Sequence, residues 1–454
     1  MKAQKIILAV LAVLLLSAFG LWAFGASYYG LSMLAAGLSF SLFALTVLAL
    51  VPAFGAVRDS VPLCPDAALG KRSLRRSRRH PWAQIALAVL ALRLFLYILA
   101  YVADMQVNGY GGGILNGLSR LWLRTDSPSY LGIAEHWYVT EGDPRFHIVF
   151  FPLYPIFIKI FSLLTGGNLF ASAMLVSNLC AMGCGILLYE LAALDLARRE
   201  ALFVTALGML LPGAMFLGAP MTESLFLLLS LACAYCARRQ NYLLAGIFGA
   251  LAAFTRSVGI LLAALMAAEM LTALLGDGKW GAKRIWSYMG CLCLVLLGTA
   301  GYLAVNYFVT GNAFTFLTYQ REHWDQGLGL FWNTAAYHTE YLLNALASGD
   351  LHMALGLFLP NLLCAFGALG IMLPAARKLR PAYTFYFLLY FAVSIGCSWL
   401  LSAPRYLAVC FPLALGLAAL LQKAPRWLWW AVAALLFLSL CTYTILYILG
   451  YPVY

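Results

Sequence analysis

Apolar runs of about 17–25 residues recur along the whole chain, and each is long enough to cross a bilayer as a helix. No water is available inside hydrocarbon to satisfy backbone N–H and C=O groups, so segments of this kind must be helical. The polar segments of any size are confined to about 58–81, 105–147 and 310–350, and no soluble domain interrupts the pattern. Composition agrees: 64% of residues are hydrophobic and 10% charged, against roughly 25% charged in a soluble domain. The expectation is an all-α polytopic membrane protein with about thirteen transmembrane helices. The net charge of +12 would suit a nucleic-acid binder. Its placement in short clusters between spans excludes that partner and marks it as orientation charge.

Lys71, Arg72, Arg75, Arg76, Arg78 and Arg79 follow the second span, and their loop is expected in the cytoplasm. Arg198/Arg199, Arg238/Arg239, Lys279/Lys283/Arg284, Arg377/Lys378/Arg380 and Lys423/Arg426 mark further cytoplasmic turns. Two starting helices, about 5–27 and 31–52, bring the chain out and back, and a third, about 82–103, carries it out again. Two full spans between 148 and 194 would put Arg198 outside. The segment 148–166, with Pro152, Pro155 and Lys159, is therefore read as re-entrant or half-inserted. Lys2 and Lys5 before an apolar run resemble a signal peptide, and the span that follows at once favours an uncleaved anchor. Residues 1–81 are read as an N-terminal hairpin with a basic loop, and 82–454 as the catalytic membrane domain.

The eleven cysteines lie almost entirely inside apolar segments. Cys233 and Cys236 make a single CxxC in mid-span with no second pair, which reads as packing. The histidines show no ligand spacing, so no metal site is expected, and a divalent cation has no ligand cluster to support it. GYGGG (109–113) has no strand before it and reads as a loop, not a nucleotide site. No cofactor is expected, and nothing in the sequence bears on oligomeric state.

The first long outside loop, 105–147, is not featureless. GILNGLSRLWL (113–123) has helical amphipathic spacing, and Ser127-Pro128 starts a second helix, since Pro suits the first helical turn. Tyr130, Ile133, Ala134 and Trp137 or Tyr138 share one face of it. Both pieces read as interfacial amphipathic helices. Asp126 stands between them. It is placed to cap the second helix, and a carboxylate held at the membrane surface near cations can also take a proton from an acceptor hydroxyl. The two roles are compatible.

Five short polar motifs fall on one side of this topology: RTDSPSY (124–130), FFPLYP (150–155), APMTES (219–224), FTRSVG (254–259) and SAPRY (402–406). If they converge, they form a polar pocket facing the extracytoplasmic compartment, the layout of a membrane enzyme acting on a lipid with a polar head. Arg256 and Arg405 lie at outside ends of spans, against the positive-inside trend. Each could hold phosphate oxygens through two donors, although a snorkelling Arg256 or an interfacial anchor of Arg405 with Tyr406 is the plainer reading. Glu223 begins a span at the same surface, where it would pair with an arginine, hydrogen-bond a sugar or simply favour the helix dipole.

The pattern Asp126, Tyr130, Ile133, Ala134, Tyr138, followed by FFPLYP, resembles the PIG-V family of GPI mannosyltransferases and their bacterial relatives. LLPGAMFLGAPMTESLFLLL (210–229), LAAFTRSVGI (251–260), NYFVTGNAFTFLTYQREHW (306–324) and SAPRYLAVCFP (402–412) are similar to further family elements in the same order, so the resemblance runs over about 82–412. It departs from the family pattern at Thr125, where Trp is frequent, at Trp137, where Gly is common, and at Met221, where Tyr often precedes the Thr-Glu pair. The resemblance implies the type C glycosyltransferase (GT-C) fold and a polyprenyl-phosphate-sugar donor. A phosphate-linked sugar already carries a good leaving group, so the site needs a base and cations for the departing phosphate. Asp126 is the expected base, with Asp104, Glu141 and Asp143 as substitutes. Arg256, Arg405, Glu223 and Tyr406 are expected at the donor phosphate and sugar. Tyr130, Phe151, Pro152, Tyr154, His323 and Trp324 are expected to line a channel or lid. Attack with one base would invert the anomeric centre. The acceptor is expected to be a glycan or glycolipid, the enzyme to sit in the plasma membrane of a bacterium among membrane lipids, and mannose to be the sugar. The competing reading is a transporter or flippase of lipid-linked sugars.

Overall fold

Helix length sorts the architecture into two sets, and that difference places the site. The computed structural model describes residues 10–11, 13–19, 32–60, 80–109 and 113–453. Most of the expected first helix, the basic loop through Arg79 and Tyr110–Gly112 lie outside the described residues. In chain order the helices are α1 (Met33–Ser60), α2 (Trp82–Asn108), α3 (Ile114–Trp122), α4 (Ser127–His136), α5 (Leu153–Ser162), α6 (Leu169–Ala193), α7 (Arg198–Leu210), α8 (Glu223–Arg238), α9 (Tyr242–Ala253), α10 (Leu262–Asp277), α11 (Ala282–Thr310) and α12 (Thr315–Trp324). They continue with α13 (Phe331–Ala347), α14 (Leu351–Ala375, with a π turn at Ala354–Phe358), α15 (Pro381–Ile395), α16 (Ala403–Ala408), α17 (Pro412–Leu421) and α18 (Arg426–Ile448). Short 3-10 segments stand at Asp143–Val149, Pro212–Leu217 and Ser257–Leu261. Among the described residues there is no strand, only an isolated bridge between Leu328 and Cys397.

Among the described residues seven helices are long and apolar enough to cross a membrane: α1, α2, α6, α10 with its 3-10 lead-in, α11, α14 and α18; a bent pair would make eight. The expected count of about thirteen is not confirmed, because five of the counted runs fold as part-length helices. α7 has 13 residues, α8 16, α9 12, α15 15 and α17 10. At 1.5 Å per residue these reach about 15–24 Å, short of the roughly 30 Å hydrocarbon core. Each has one end at a basic turn: Arg198, Arg238, Arg239, Arg380 and Lys423 in the same order. Their other ends stop at Leu210, Glu223, just before Arg256, at Ile395 and just after Arg405. The part-length helices thus have their basic turns at one end and the residues that approach Glu223, Arg256 and Arg405 at the other.

Register is fixed by a few polar contacts. At the basic end Arg238 of α8 makes two 2.7 Å bonds to Asp195 after α6 and one of 2.7 Å to the Tyr383 hydroxyl of α15. Arg380 holds Glu269 of α10 at 2.9 and 2.7 Å. Higher up, the Cys184 thiol donates to the Ser224 carbonyl at 3.3 Å, so with the Asp195–Arg238 pair at their C-terminal ends α6 and α8 run parallel. Gly298 of α11 lies on the Ala250 carbonyl of α9, where any side chain would overlap it. Small residues permit this kind of close approach between membrane helices. The cysteines Cys233 and Cys236 are free thiols, one buried and one half-buried, in keeping with packing.

The segment read as half-inserted is α5. It meets the preceding 3-10 turn at 111°. The Tyr154 hydroxyl bonds Ser177 and Ala173 of α6 at 2.8 and 3.1 Å, and Thr165 bonds Ser172 at 2.6 Å. The hairpin therefore covers only the first two to three turns of α6. At about 15 Å, α5 reaches half the depth of a bilayer.

Candidate active site

The segment before α4 is held from both ends. Arg120 pairs with the buried Asp104 of α2, and Asn108 donates to the same carboxylate at 2.8 Å. Arg124 donates to the carbonyls of Tyr447 and Ile448 at 3.0 and 2.9 Å. Those are carbonyls at the C-terminal end of α18, where intrahelical partners run out and a cation is favoured. Between these anchors and α4, Thr125 adopts φ 54°. A left-handed threonine costs on the order of 1–3 kcal/mol and persists only where its surroundings impose it. Trp137 at the other end of α4 has φ 64°, a conformation that glycine adopts without strain. That accounts for glycine being the commoner family choice there.

Asp126 is the N-cap residue of α4, yet its side chain makes no capping hydrogen bond. This corrects the capping role expected from the sequence. The carboxylate turns instead to Arg405, whose Nη2 lies 2.7 Å from Asp126 Oδ2. Arg405 Nε lies 2.5 Å from Glu223 Oε1, and Arg256 pairs with the same Glu223 oxygen. Arg256 also donates to Thr222 at 3.3 Å. These pairings tell against the alternatives of a merely snorkelling Arg256 and a merely interfacial Arg405. Two carboxylates and two guanidiniums from four separate segments thus join in one network of zero net charge. A buried charge is tolerable when paired and hydrogen-bonded in this way.

The rings around the network complete it. The Arg405 guanidinium stands 5.2 Å from the Phe216 ring, and Arg256 stands 5.5 Å from Tyr406 and 5.9 Å from Phe226. Tyr130 is buried edge-on to Phe150 at 5.1 Å and to Tyr154 at 5.5 Å. Burial, and then the negative charges of Asp126 and Glu223, hold its hydroxyl above the ordinary tyrosine range. Tyr130 therefore stays neutral and packs beside the network through its two aromatic contacts.

Exposure distinguishes the two carboxylates. The Asp126 side chain is 31% exposed and that of Glu223 0%. Asp126 is the open carboxylate, and Glu223 is the buried partner of both arginines. The substitutes for the base do not enter the network: Asp104 is committed to Arg120, and Glu141 and Asp143 are exposed elsewhere in the loop.

The remaining expected residues lie around this centre. Pro152 precedes α5 and Phe151 stacks on Tyr302 at 3.7 Å, while Tyr154 is fixed to α6. His323 stacks on Phe146 at 4.2 Å, and Trp324 stands edge-on to Phe150 at 5.9 Å. Phe150 in turn touches Tyr130, so Trp324 reaches the site through one ring. The loop after α12 is stitched to the one leading to Arg405: Gly329 N–H donates to the Gly396 carbonyl at 2.5 Å and Gly327 N–H to Ser398 Oγ at 2.7 Å. Among the described residues no group of three His, Cys, Asp or Glu stands together as metal ligands.

Sequence reasoning missed Arg93 and Phe216. Arg93 is buried in α2 and donates to the Ala214 carbonyl at 2.5 Å, while Tyr97 donates to the Gly218 carbonyl at 2.7 Å. Together they brace the Pro212–Leu217 turn, which carries Phe216 beneath Arg405. The signal was present, since an arginine inside the apolar run LALRLFLY is costly and needs a reason.

Fold and site define a multi-pass integral membrane protein with a charged centre at the tips of part-length helices. The chain belongs to the mannosyltransferase (PIG-V) family of membrane glycosyltransferases, whose pattern matches residues 86–327. Four of the five polar motifs fall inside that match, and SAPRY at 402–406 lies beyond it. Family membership carries the GT-C fold expected from the sequence. Two solved structures of ArnT from Cupriavidus metallidurans are similar to this chain. The one bound to undecaprenyl phosphate shows 16% identity and a TM-score of 0.47, over 78% of this chain and 62% of that one. The apo form shows 17% identity and 0.46, over 76% and 61%. This chain thus spans less than two thirds of the ArnT length. No curated protein matches it.

Proposed function

We propose that the Asp126–Arg405–Glu223–Arg256 network catalyses transfer of a sugar, mannose by family membership, from a polyprenyl-phosphate-sugar to an extracytoplasmic acceptor. The observation that carries this reading is Arg405 bonded to both the open carboxylate and the buried one. Asp126 takes the proton of the acceptor hydroxyl as its oxygen bonds the anomeric carbon. The bond from that carbon to phosphate oxygen breaks, and its electron pair leaves with the polyprenyl phosphate. The phosphate gains one negative charge as Asp126 loses one, so the charge around the arginines is conserved. Arg256 and Arg405 bind the phosphate as planar forks, Tyr406 faces Arg256 beside it, and a single displacement inverts the anomeric centre. Water-excluded electrostatic stabilisation of this kind is usually the largest catalytic contribution.

The basic turns at the opposite ends of the part-length helices support a cytoplasmic face there and a site open to the outside. In a bacterium that membrane is the plasma membrane. Residues 82–454 form the catalytic domain in this reading, with 1–81 as an appended hairpin. His323 and Trp324 close over the bound sugar, and Phe151, Pro152 and Tyr154 shape the wall. The test uses purified protein in liposomes with labelled polyprenyl-phosphate-mannose and a lipid extract. Label appearing in a new glycosidic linkage, with polyprenyl phosphate released, supports enzyme action. Intact donor crossing the bilayer with no new linkage overturns it in favour of a transporter.

A further inference from the structure

Arg93 carries a charge into the middle of a span. It lies eleven residues into the 27-residue α2, about 17 Å from the Trp82 end, and is 1% exposed. A charged side chain at that depth is costly and marks a role. Its hydrogen bonds go to the backbone, from Nη1 to the Ala214 carbonyl at 2.5 Å and from Nη2 to the Met209 carbonyl at 3.4 Å. Among the described residues no carboxylate lies within ion-pair distance of it.

Both acceptors belong to a break in the helical backbone. α7 stops at Leu210 after 13 residues, Leu211 leaves the helical region at ψ 142°, and Pro212 has no N–H to offer. The last carbonyls of α7 run out of helical donors there, and Met209 is one of them. Broken backbone at membrane depth has to be satisfied by the protein itself. Arg93 supplies donors on both sides of the break, and its charge suits the negative end of the α7 dipole. Tyr97, one turn further along α2, donates to Gly218 at the far end of the turn at 2.7 Å.

The turn so held touches Arg405 twice. Gly213 lies against the Pro404 carbonyl and the Arg405 amide, with no room for a Cβ between them. The Phe216 ring lies 5.2 Å from the Arg405 guanidinium, and Tyr447 of α18 backs that ring at 5.4 Å. A shift of the turn therefore shifts both the backbone and the side chain of Arg405. Arg256 differs, since its partners Thr222, Glu223, Phe226 and Tyr406 all lie outside the turn.

We propose that Arg93 is a positioning residue: by holding the Pro212–Leu217 turn it sets where Arg405 stands between Glu223 and Asp126. The consequence for transfer rests on the reading of Arg405 as a phosphate ligand, whereas the placement of Arg405 is measured without it. Purified full-length protein in detergent is treated with phenylglyoxal, which modifies accessible guanidiniums, and the rates at Arg405 and Arg256 are compared by mass spectrometry. In Arg93→Met the rate at Arg405 should rise about tenfold, as expected for losing a charged hydrogen bond, while that at Arg256 holds. Arg93→Lys keeps the charge but not the fork and should fall between. If Arg93→Met does not fold, Arg93→Lys and Tyr97→Phe, which each loosen only part of the grip, decide by the same ratio. Arg238→Met, which cuts the Asp195 pair at the other end of α8, should lower the melting temperature and leave the Arg405 rate unchanged. Arg405 as protected in the Arg93 variants as in the unaltered protein overturns the proposal. An equal rise at Arg405 and Arg256 overturns it too, because Arg93 would then support the fold in general. In the transfer assay Arg93→Lys should lower kcat/KM for the donor about tenfold, and unchanged transfer beside a raised Arg405 rate would refute its part in the reaction. An unaltered protein that transfers no sugar would sink the proposed activity and leave the modification ratio standing, so the two failures separate.

Discussion

Replacing Arg405 by lysine tests the site with the least disturbance of the fold. Arg405 bonds Glu223 through Nε and Asp126 through Nη2. One rigid fork therefore sets the distance between the buried brace and the open base. Lysine preserves the positive charge, so the network stays neutral and escapes the 3–5 kcal/mol that breaking a buried pair by removing one partner would cost. Its single ammonium cannot reproduce the two-pronged geometry. Losing one charged hydrogen bond removes about 1.5–3 kcal/mol, and at 1.4 kcal/mol per decade transfer should fall about ten- to a hundredfold. The assay follows label from polyprenyl-phosphate-mannose into lipid, with elution on size exclusion as the control for folding. Part of the loss should appear as a higher KM for donor, since the same fork receives the phosphate in the proposed mechanism. Transfer near that of the unaltered protein by a well-folded Arg405→Lys variant would refute the reasoning, because a charge alone would then suffice.

Three further outcomes are expected. Asp126→Asn should remain folded, since no capping bond is lost, the carboxylate it replaces is 31% exposed, and Arg405 keeps its pairing with Glu223; transfer should drop about a hundredfold or more as the base is removed, and comparable turnover would assign the base elsewhere. Gly213→Val should abolish both folding yield and transfer, because any side chain there overlaps the Pro404 carbonyl and the Arg405 backbone, and normal expression with normal transfer would contradict that contact. In a cysteine-free background, an impermeant thiol reagent added outside should label cysteines placed at the exposed positions Glu141 and Glu322 but not at Arg199 or Lys423; labelling of all four from one side would break the topology.

Much of the site was legible because charge stands out against an apolar background. Asp126, Glu223, Arg256 and Arg405 could be picked from the sequence for that reason alone, and order along the chain then pointed to the family. Their pairing was not legible. Asp126 before Ser-Pro has the local signature of a cap, and only the arrival of Arg405 from some 280 residues away turns the carboxylate aside. For Glu223 the sequence offered an arginine partner, a sugar or the helix dipole, and only the fold shows that both arginines meet on one of its oxygens.

Helix depth was hidden for a different reason. A part-length helix buried among other helices and a full membrane span both read as apolar runs, and periodicity does not separate them. The sequence by itself determined that this chain is a helical membrane protein, which end of each helix carries the basic turn, and which few charges stand apart. Tertiary structure alone decided that α7, α8, α9, α15 and α17 stop part-way and meet, and that Arg93 braces the turn beneath Arg405. Each of those depends on contacts between residues far apart in the chain, while composition and periodicity record only what a residue's near neighbours require.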